Sequence, residues 1–369
     1  MNRKGRLHLE NQYMKLAIDL AKQTVGQTSP NPVVGAVIVK NHEIIGMGAH
    51  LKAGEPHAER HALEMAKRNA VGATMYVTLE PCSHHGRTPP CADAVIASGI
   101  SKVVIASMDP NPKVAGNGIE KLRQAKIEVE VGVMKEEADQ LNRVFFHYIR
   151  TGTPYVTLKT ASSIDGKIAT TSGESKWITG EAARLDVHEL RYEHDAILVG
   201  VETVLKDDPL LTTRLNDGGK SPIRIVLDRQ LRIPVQAKML HDNEAKTWIM
   251  TTNRASLDKI TQIENKNVKV FVLKNESLAI KELLQVIGKE QVTSLLVEGG
   301  GTVNDSFLRA GKFQRLVKYL APVIIGGASA ASSFSGEGIQ LLKDAPRLAL
   351  LSIDKLGQDL KLIYEKKEE

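Results

Sequence analysis

The chain is poor in cysteine, aromatic residues and long apolar runs, and each shortage excludes a class of protein. Only Cys82 and Cys91 occur among its 369 residues. Such a pair is too small for a disulfide scaffold and is more typical of a metal site or a chance pair. No apolar run approaches the roughly 20 residues that span a bilayer. The first residues also lack the apolar centre of a secretory signal. We therefore expect a cytoplasmic protein with no membrane partner.

Aromatic residues and excess charge are both scarce. Phenylalanine, tryptophan and tyrosine make up 4% of the sequence, which disfavours a platform of stacked rings for nucleic acid. The formal net charge is +6, a modest value that is typical of solvated surface, although it could help attract an anionic metabolite. A length of 369 residues favours two domains.

Strand and helix patterns alternate along the first part of the chain. A buried strand is predicted over 33–39, pairing with 43–47 across a turn, and a helix is predicted over 57–69. The alternation predicts an α/β domain over residues 1–150. The sequence Arg-Thr-Gly-Thr-Pro at 150–154 is typical of a linker.

The same alternation resumes after the linker and predicts a second domain over 151–369, with a largely parallel sheet. No internal repeat or low-complexity tract is present, and the final YEKKEE is interpreted as a charged tail. The predicted strands of this domain are 155–160, 196–199, 223–227, 247–251, 268–272, 294–297 and 316–325.

One group of residues in the first domain has the composition of a catalytic zinc site. A zinc ion that activates water needs three nitrogen or thiolate ligands and one open position. His57, Cys82 and Cys91 supply an imidazole and two thiolates, and Glu59 follows two residues after His57, close to a zinc-activated water but not a ligand. This order matches the H-x-E…P-C-x-x-C pattern of zinc nucleobase deaminases. His61, His84 and His85 are interpreted as nearby polar or substrate-facing groups.

The spacing of the two cysteines departs from that pattern. Eight residues, not two, separate Cys82 from Cys91, which disfavours cytidine and transfer-RNA deaminases. A zinc nucleic-acid deaminase with an appended binding domain remains an alternative, suggested by the positive charge and the zinc motif. Against it stand the few aromatic residues and the lack of a Lys/Arg block. Nucleic-acid binding that falls steeply with salt would discriminate the two.

The stretched motif PCSHHGRTPPC, with the upstream SPNPVVGAVIV and HAE helix, resembles the deaminase half of the bifunctional riboflavin biosynthesis proteins over residues 10–145. The resemblance implies a cytidine-deaminase-like α/β/α fold, a Zn²⁺ ion and hydrolytic deamination of 2,5-diamino-6-ribosylamino-4(3H)-pyrimidinone 5′-phosphate. Glu59 would pass a proton from the attacking water to the departing ammonia. Asn31 would contact the substrate, and the candidates for its phosphate are His50, Lys52 and Arg87.

The second half resembles the reductase half of the same family, through SSIDGKIATTSGESKWIT, DAILVGVETVLKDDPLLTTR, RIVLD and VEGGGTVNDSFL. The resemblance implies a dihydrofolate-reductase-like α/β domain that reduces the ribosyl group to ribityl with NADPH, and Lys159 as the residue that handles charge or a proton. The implied cofactor contacts are Ala161, Trp177, Thr203, Asp207, Gly299, Gly300, Gly301, Thr302, Val303, Asn304, Asp305 and Ser306. The implied substrate contacts are Ser175, Arg191, Leu211, Arg214 and Glu298.

The three glycines also have a physical interpretation of their own. They follow an apolar strand and precede a helix, where exposed amides and the helix dipole favour a diphosphate. A tight turn without a ligand is equally consistent with three glycines. A retired reductase-like domain that serves as a non-enzymatic nucleotide sensor or scaffold remains an alternative for this half, although the intact GGGTVNDSFL and SGESKWIT argue against it. We expect small-molecule substrates and, by analogy, a homo-oligomer.

Overall fold

A computed structural model of the chain describes residues 3–83, 89–111, 115–274 and 278–367. The chain divides into two compact units, Met1–Gly152 and Thr153–Glu369. Among the helices that the structure describes, none is long and apolar enough to cross a bilayer.

The first unit is built on a five-stranded mixed sheet with the strand order β2-β1-β3-β4-β5. β1 pairs antiparallel with β2 and with β3, whereas β3, β4 and β5 run parallel. The predicted hairpin of the first two strands is therefore confirmed. The strands are β1 (Gly35–Lys40), β2 (Glu43–Ala49), β3 (Thr74–Leu79), β4 (Lys102–Ser107) and β5 (Glu128–Val131). The helices are α1 (Arg3–Lys22), α2 (Ala58–Ala66), α3 (Cys91–Ala97), α4 (Asn117–Gln124), α5 (Lys135–Leu141) and α6 (Arg143–Thr151).

Glycines in β2 allow α2 to lie directly on the sheet. A Cβ atom on Gly46 would stand 2.2 Å from the carbonyl oxygen of Ala62, and one on Gly48 would stand 2.6 Å from that of Ala58. Both distances are far shorter than any van der Waals contact, so larger residues would push the helix away. The glycines thereby fix the position of the first turn of α2, which carries Glu59.

The second unit contains a nine-stranded sheet with the order β10-β9-β8-β7-β11-β6-β12-β14-β13. The strands from β10 to β12 in this order run parallel, and β14 and β13 add an antiparallel pair. The strands are β6 (Tyr155–Ser163), β7 (Ala196–Gly200), β8 (Ile223–Leu227), β9 (Thr247–Thr252), β10 (Val268–Leu273), β11 (Ser294–Val297), β12 (Arg315–Ala321), β13 (Leu348–Leu356) and β14 (Asp359–Lys366). The helices are α7 (Glu181–Glu193), α8 (Val201–Asp207), α9 (Leu257–Ile263), α10 (Ile280–Lys289) and α11 (Gly301–Arg309).

Two sequence predictions for the end of this unit are wrong. Residues 364–366, interpreted as part of a charged tail, belong to β14 and continue its pairing with β12 and β13. The strand predicted over 316–325 ends at Ala321, because the chain turns there: the amide of Val323 donates to the carbonyl of Ala321 at 2.8 Å.

Candidate active sites

Three separate elements bring the predicted zinc ligands together. His57 is the residue before α2, and Cys91 is the first residue of α3. Cys82 lies beyond the end of β3, in the segment that continues through Glu80 and Pro81. Pro90 immediately precedes α3, where its missing backbone N–H removes no hydrogen bond of the helix.

The distances between the ligand atoms fit a metal ion. His57 Nδ1 lies 3.7 Å from Cys82 Sγ and 3.2 Å from Cys91 Sγ, and all three ligand atoms lie within 4.8 Å of one another. Tetrahedral zinc with ordinary bond lengths would separate a nitrogen and a sulfur ligand by about 3.6 Å. One imidazole and two thiols at these separations fit a zinc ion with a fourth position open.

Hydrogen bonds within this cluster favour a thiolate. The contact with the Cys91 thiol lowers the pKa of Cys82, and the backbone amide of Cys91 also donates to Cys82 Sγ at 3.2 Å. The same thiol–thiol contact raises the pKa of Cys91. The hydrogen bond with Cys82 raises the pKa of His57. Cysteine binds zinc as the thiolate, so the lowered pKa of Cys82 agrees with a ligand role for that residue.

Glu59 lies beside this cluster with a free carboxylate oxygen. The side chain is buried, at 3% exposure, and its Oε2 atom has no hydrogen-bond partner within the part of the chain that the structure describes. Burial raises the pKa of the Glu59 carboxyl. A buried oxygen without a partner costs free energy, and at an active site such an atom is available to a substrate or water.

The predicted contacts of the first substrate lie in different environments. Asn31 is half-buried, and its Nδ2 atom lies 3.1 Å from Nε2 of His50. His50 is only 2% exposed, and burial lowers its pKa. Lys52 is exposed. Arg87, like His84 and His85, lies outside the described residues.

Glu80, which the sequence did not predict as a site residue, holds the segment beside Cys82 in place through hydrogen bonds. Its buried carboxylate accepts hydrogen bonds from the backbone amides of Gly116 at 3.0 Å, Gly118 at 2.9 Å and Ile119 at 3.3 Å. Because Glu80 is two residues from Cys82, these bonds fix that segment against the start of α4. The sequence feature that could have indicated this role is the position of Glu80 two residues before Cys82, in the run Glu-Pro-Cys.

In the second unit, three predicted residues form one ionic cluster. Arg191 on α7 donates from Nε and Nη2 to the two carboxylate oxygens of Glu298, at 2.8 and 3.1 Å. Lys159 on β6 places Nζ 3.6 Å from Glu298 Oε2. Burial tends to raise the pKa of Glu298, but the two cations lower it more, to about 2. The carboxylate is therefore ionised at neutral pH.

A short segment after α8 joins this cluster. The Thr212 carbonyl accepts a hydrogen bond from Arg191 Nη1 at 3.1 Å. The neighbouring Leu211 is buried and has a φ of 55°, a backbone conformation that β-carbon-bearing residues adopt rarely. Arg214 is exposed, and its backbone amide donates to Nδ1 of His188 at 3.2 Å. The segment that carries Leu211 and Arg214 is thus hydrogen-bonded to α7, which carries Arg191.

A second polar cluster next to Lys159 was not predicted. The Tyr319 hydroxyl on β12 donates to Asp186 on α7, and Lys361 on β14 lies 2.7 Å from the same carboxylate. The Lys159 ammonium lies 5.7 Å from the centroid of the Tyr319 ring. Because these residues are spread over β12, α7 and β14, nothing local in the sequence indicated that they meet.

The glycine run has the geometry of a loop that a ligand can approach. Residues 298–300 follow β11, and α11 begins at Gly301. A Cβ atom on Gly301 would stand 2.4 Å from both the Ser332 carbonyl oxygen and Ser335 Oγ, whereas around one on Gly300 no described atom lies within 4 Å. Open space at Gly300, beside the amides of the first turn of α11, fits the diphosphate of a nicotinamide cofactor.

Several side chains in α11 are engaged within the protein. Asn304 donates from Nδ2 to the Ser333 carbonyl at 2.9 Å, Asp305 accepts from Arg309 Nε at 2.8 Å, and Ser306 donates to the Thr302 carbonyl at 2.9 Å. A Cβ atom on Gly299 would stand 2.5 Å from the Cβ atom of Val303. A cofactor at this helix would therefore contact mainly its backbone.

The remaining predicted cofactor residues lie on different elements. Trp177 is 70% exposed, with the Arg184 guanidinium 4.8 Å from its ring centroid. Its neighbour Lys176 forms a 2.6 Å ion pair with Asp207, the last residue of α8. Thr203 is half-buried on α8, Ala161 is half-buried on β6 opposite Tyr319, and Ser175 is exposed.

Comparison with known proteins identifies both units. Residues 8–107 match the family described as the cytidine and deoxycytidylate deaminase zinc-binding region, and residues 154–362 match the RibD C-terminal domain. The riboflavin biosynthesis protein RibD of Bacillus amyloliquefaciens is 51% identical over 96% of this chain and 95% of its own length. That of Escherichia coli is 44% identical over 94% and 97% of the two chains.

Solved structures agree with these matches over the whole chain. RibD of Acinetobacter baumannii has 41% identity and a TM-score of 0.89, covering 98% of this chain and 100% of its own. A diaminohydroxyphosphoribosylaminopyrimidine deaminase/5-amino-6-(5-phosphoribosylamino)uracil reductase of Thermotoga maritima has 38% identity and a TM-score of 0.88, with the same coverage. The predicted fold class, a cytidine-deaminase-like domain followed by a reductase domain, is confirmed. The chain belongs to the RibD family of riboflavin biosynthesis, bifunctional enzymes that join a zinc-dependent deaminase to an NADPH-dependent reductase.

Proposed function

We propose that the two units perform consecutive reactions on one pyrimidine. The first unit deaminates 2,5-diamino-6-ribosylamino-4(3H)-pyrimidinone 5′-phosphate, and the second reduces the ribosyl group of the product to ribityl. The observation that carries the proposal is the His57–Cys82–Cys91 cluster with the free oxygen of Glu59 beside it.

In the first unit, His57, Cys82 and Cys91 would hold the zinc ion. When bound, the ion acts as a Lewis acid that lowers the pKa of water. Glu59 accepts a proton from the attacking water at Oε2 and delivers it to the departing amino group. A carbon–oxygen bond forms at the ring carbon, the carbon–nitrogen bond breaks and ammonia leaves. Burial raises the pKa of the Glu59 carboxyl, which makes the carboxylate a stronger base towards the attacking water.

In the second unit, the amides around Gly300 would hold the diphosphate of NADPH, which supplies a hydride when bound. Lys159, Arg191 and Glu298 face the substrate. The ring-opened ribosylamine is an imine, so its C1′ accepts the hydride and its nitrogen accepts a proton. Lys159 holds a proton and a positive charge at Nζ, and Glu298 holds Lys159 and Arg191 in place from 3.6 and 2.8 Å.

Nucleic acid is not expected as a partner of this protein. The long spacing between the two cysteines and the low aromatic content, 4%, both disfavour it. Protein binding to a labelled single strand at low salt, with a steep decline as salt is added, would contradict this part of the proposal.

A homo-oligomer in the cytoplasm is also part of the proposal. The outermost strand of the large sheet, β13, exposes Leu350 at 49%, Leu351 at 46% and Ile353 at 58%. Aliphatic groups exposed on an edge strand favour association with another copy. Light scattering on the purified protein tests this, and a monomer at micromolar concentration would contradict it.

A coupled assay tests the proposed function. Purified protein with measured zinc content receives the diaminopyrimidinone ribosylamine phosphate and NADPH, and ammonia and cofactor absorbance are followed together. Ammonia release followed by NADPH oxidation supports both roles. Ammonia without oxidation would leave the second unit as a sensor or scaffold. Zinc without either signal would mean that the substrate is wrong.

A further inference from the structure

His50 connects two polar groups at the edge of the zinc site. Its Nδ1 atom lies 3.3 Å from the carbonyl oxygen of Pro56, and its Nε2 atom lies 3.1 Å from Nδ2 of Asn31. The ring is 2% exposed and stands edge-on to the His57 ring, with the centroids 5.1 Å apart. With both nitrogens engaged inside the protein, His50 is badly placed to bind a substrate phosphate.

The chemistry of these groups fixes which atoms carry hydrogen. A carbonyl oxygen can only accept, so Nδ1 of His50 must be the protonated nitrogen. In a neutral imidazole, Nε2 is then an acceptor, and Asn31 must offer it the amide nitrogen. Rotating the Asn31 amide by 180° would place two acceptors against each other. Asn31 Oδ1, which accepts no hydrogen bond from the residues that the structure describes, is therefore left to face a ligand.

The backbone of Asn31 is held as well, so only its side chain remains to be oriented. Its amide donates to the Thr28 carbonyl at 2.9 Å, and its carbonyl accepts from Thr28 Oγ1 at 3.1 Å. Farther along the loop, the Asn142 side chain donates to the carbonyl of Val33 at 2.9 Å and accepts from its amide at 3.0 Å. These contacts fix where Asn31 stands, and His50 fixes which way its amide faces.

We propose that His50 is a positioning residue that acts through Asn31, so that the deaminase site offers a hydrogen-bond acceptor to an N–H or amino group of the pyrimidine. The inference rests on the proposed function, because it deepens the recognition at that same site. A pyrimidine that carries a donor at this edge binds, and one with an acceptor there meets Oδ1 and is rejected.

The tautomer of His50 can be measured without any activity. In the zinc-loaded full chain labelled with ¹⁵N-histidine, the two ring nitrogens give different shifts in the protonated and unprotonated forms. The His50→Gln variant assigns the signals by their loss. We expect the Nδ1–H tautomer for His50. A population protonated only at Nε2 would overturn the inference.

Kinetics supply the second measurement. His50→Leu removes the contact to Asn31 and is expected to raise the KM of the deamination about tenfold, with a smaller change in kcat and normal zinc content. His50→Gln carries an amide oxygen that can accept from Asn31 and should restore KM to within about threefold of the wild type. His42→Asn is the matched control, because His42 is an exposed turn residue with a φ of 68°, which asparagine tolerates.

The outcomes separate the inference from the proposed function. Equal KM increases in His50→Leu and His50→Gln would contradict a role through Asn31, as would an unchanged KM in both. A wild-type chain that releases no ammonia from this substrate would instead contradict the proposed function. The ¹⁵N-histidine spectrum would still determine the tautomer of His50.

Discussion

Arg191 and Glu298 form a two-bond ion pair across 107 residues of sequence, with nitrogen–oxygen distances of 2.8 and 3.1 Å. Both side chains are largely buried, at 12% and 11% exposure. In such a setting each charge depends on the other, because an unpaired buried charge is costly. Lys159 completes the cluster from 3.6 Å.

Glu298→Gln should damage the second reaction and spare the first. The substitution leaves Lys159 and Arg191 without their counter-charge, so we expect NADPH oxidation on the deaminated intermediate to fall about 100-fold. Ammonia release from the first substrate should stay within about twofold. The control is Glu202→Gln, which removes an ion pair with Arg232 at an exposed site. Equal losses in both variants would contradict the role of Glu298.

The same carboxylate predicts a pH dependence of stability. The folded-state pKa of Glu298 is about 2, below the value of about 4.3 in an unfolded chain. A lowered carboxyl pKa stabilises the fold above the unfolded value, and this contribution, on the order of 3 kcal/mol, is lost as the pH falls towards the folded value. Urea unfolding of the second unit should show that the difference in free energy of unfolding between wild type and Glu298→Gln becomes smaller from pH 7 to pH 3. A difference that stays constant over this range would contradict the charged pair.

Glu59→Gln should keep zinc and lose deamination. Glutamine is nearly isosteric and leaves His57, Cys82 and Cys91 untouched, but it cannot carry the proton. We expect ammonia release to fall about 10³-fold, within the range for general acid–base catalysis, with about one zinc per chain. Glu64→Gln, on the exposed side of the same helix, is the matched control and should be near wild type. Full activity in Glu59→Gln would remove this residue from the mechanism.

Cys82→Ser and Cys91→Ser should each remove zinc from the first unit without affecting cofactor binding by the second. Each substitution removes one thiolate from a three-ligand set, so zinc content should fall to about a tenth or less after dialysis. NADPH binding, measured by fluorescence titration, should stay within about twofold, because the cofactor site lies in the other unit. Loss of cofactor binding in either variant would contradict the assignment of the two sites to separate units.

Two neighbouring glycines should respond differently to alanine. A Cβ on Gly301 meets atoms at 2.4 Å, whereas on Gly300 it meets no described atom within 4 Å. Gly301→Ala should therefore lower the Tm of the second unit. Gly300→Ala should leave Tm unchanged but raise the Kd for NADPH about tenfold, because the methyl group would occupy the space that the diphosphate needs. An unchanged Kd for NADPH in Gly300→Ala would contradict the cofactor site.

Local sequence patterns were sufficient to predict the zinc cluster and several of the strands. The zinc cluster was predicted because residue type and spacing encode it, and buried strands such as β8 (Ile223–Leu227) and β11 (Ser294–Val297) were predicted to the residue. The hairpin β13–β14 was missed, although Gly357 and Gln358 between two apolar stretches are a turn signal. The charged residues at the end of the chain are typical of a solvated tail and not of a strand.

Contacts between distant residues could not be predicted in this way. The meeting of Tyr319, Asp186 and Lys361 depends on strand order and on where α7 lies, and neither is encoded locally. The resemblance to a known family supplied Arg191 and Glu298 as substrate contacts, but not their pairing. His50 was a candidate for the phosphate because its ring is polar, and only its burial and its two partners indicate a positioning role.

The most direct test of the central claim, two consecutive active sites in one chain, is the Glu59→Gln variant supplied with each substrate in turn. Given the diaminopyrimidinone ribosylamine phosphate and NADPH, it should release almost no ammonia and oxidise almost no cofactor. Given the deaminated intermediate, it should oxidise NADPH at the wild-type rate. The claim of two separate sites would be contradicted if Glu59→Gln failed to oxidise NADPH with the deaminated intermediate while the wild type oxidised NADPH under the same conditions.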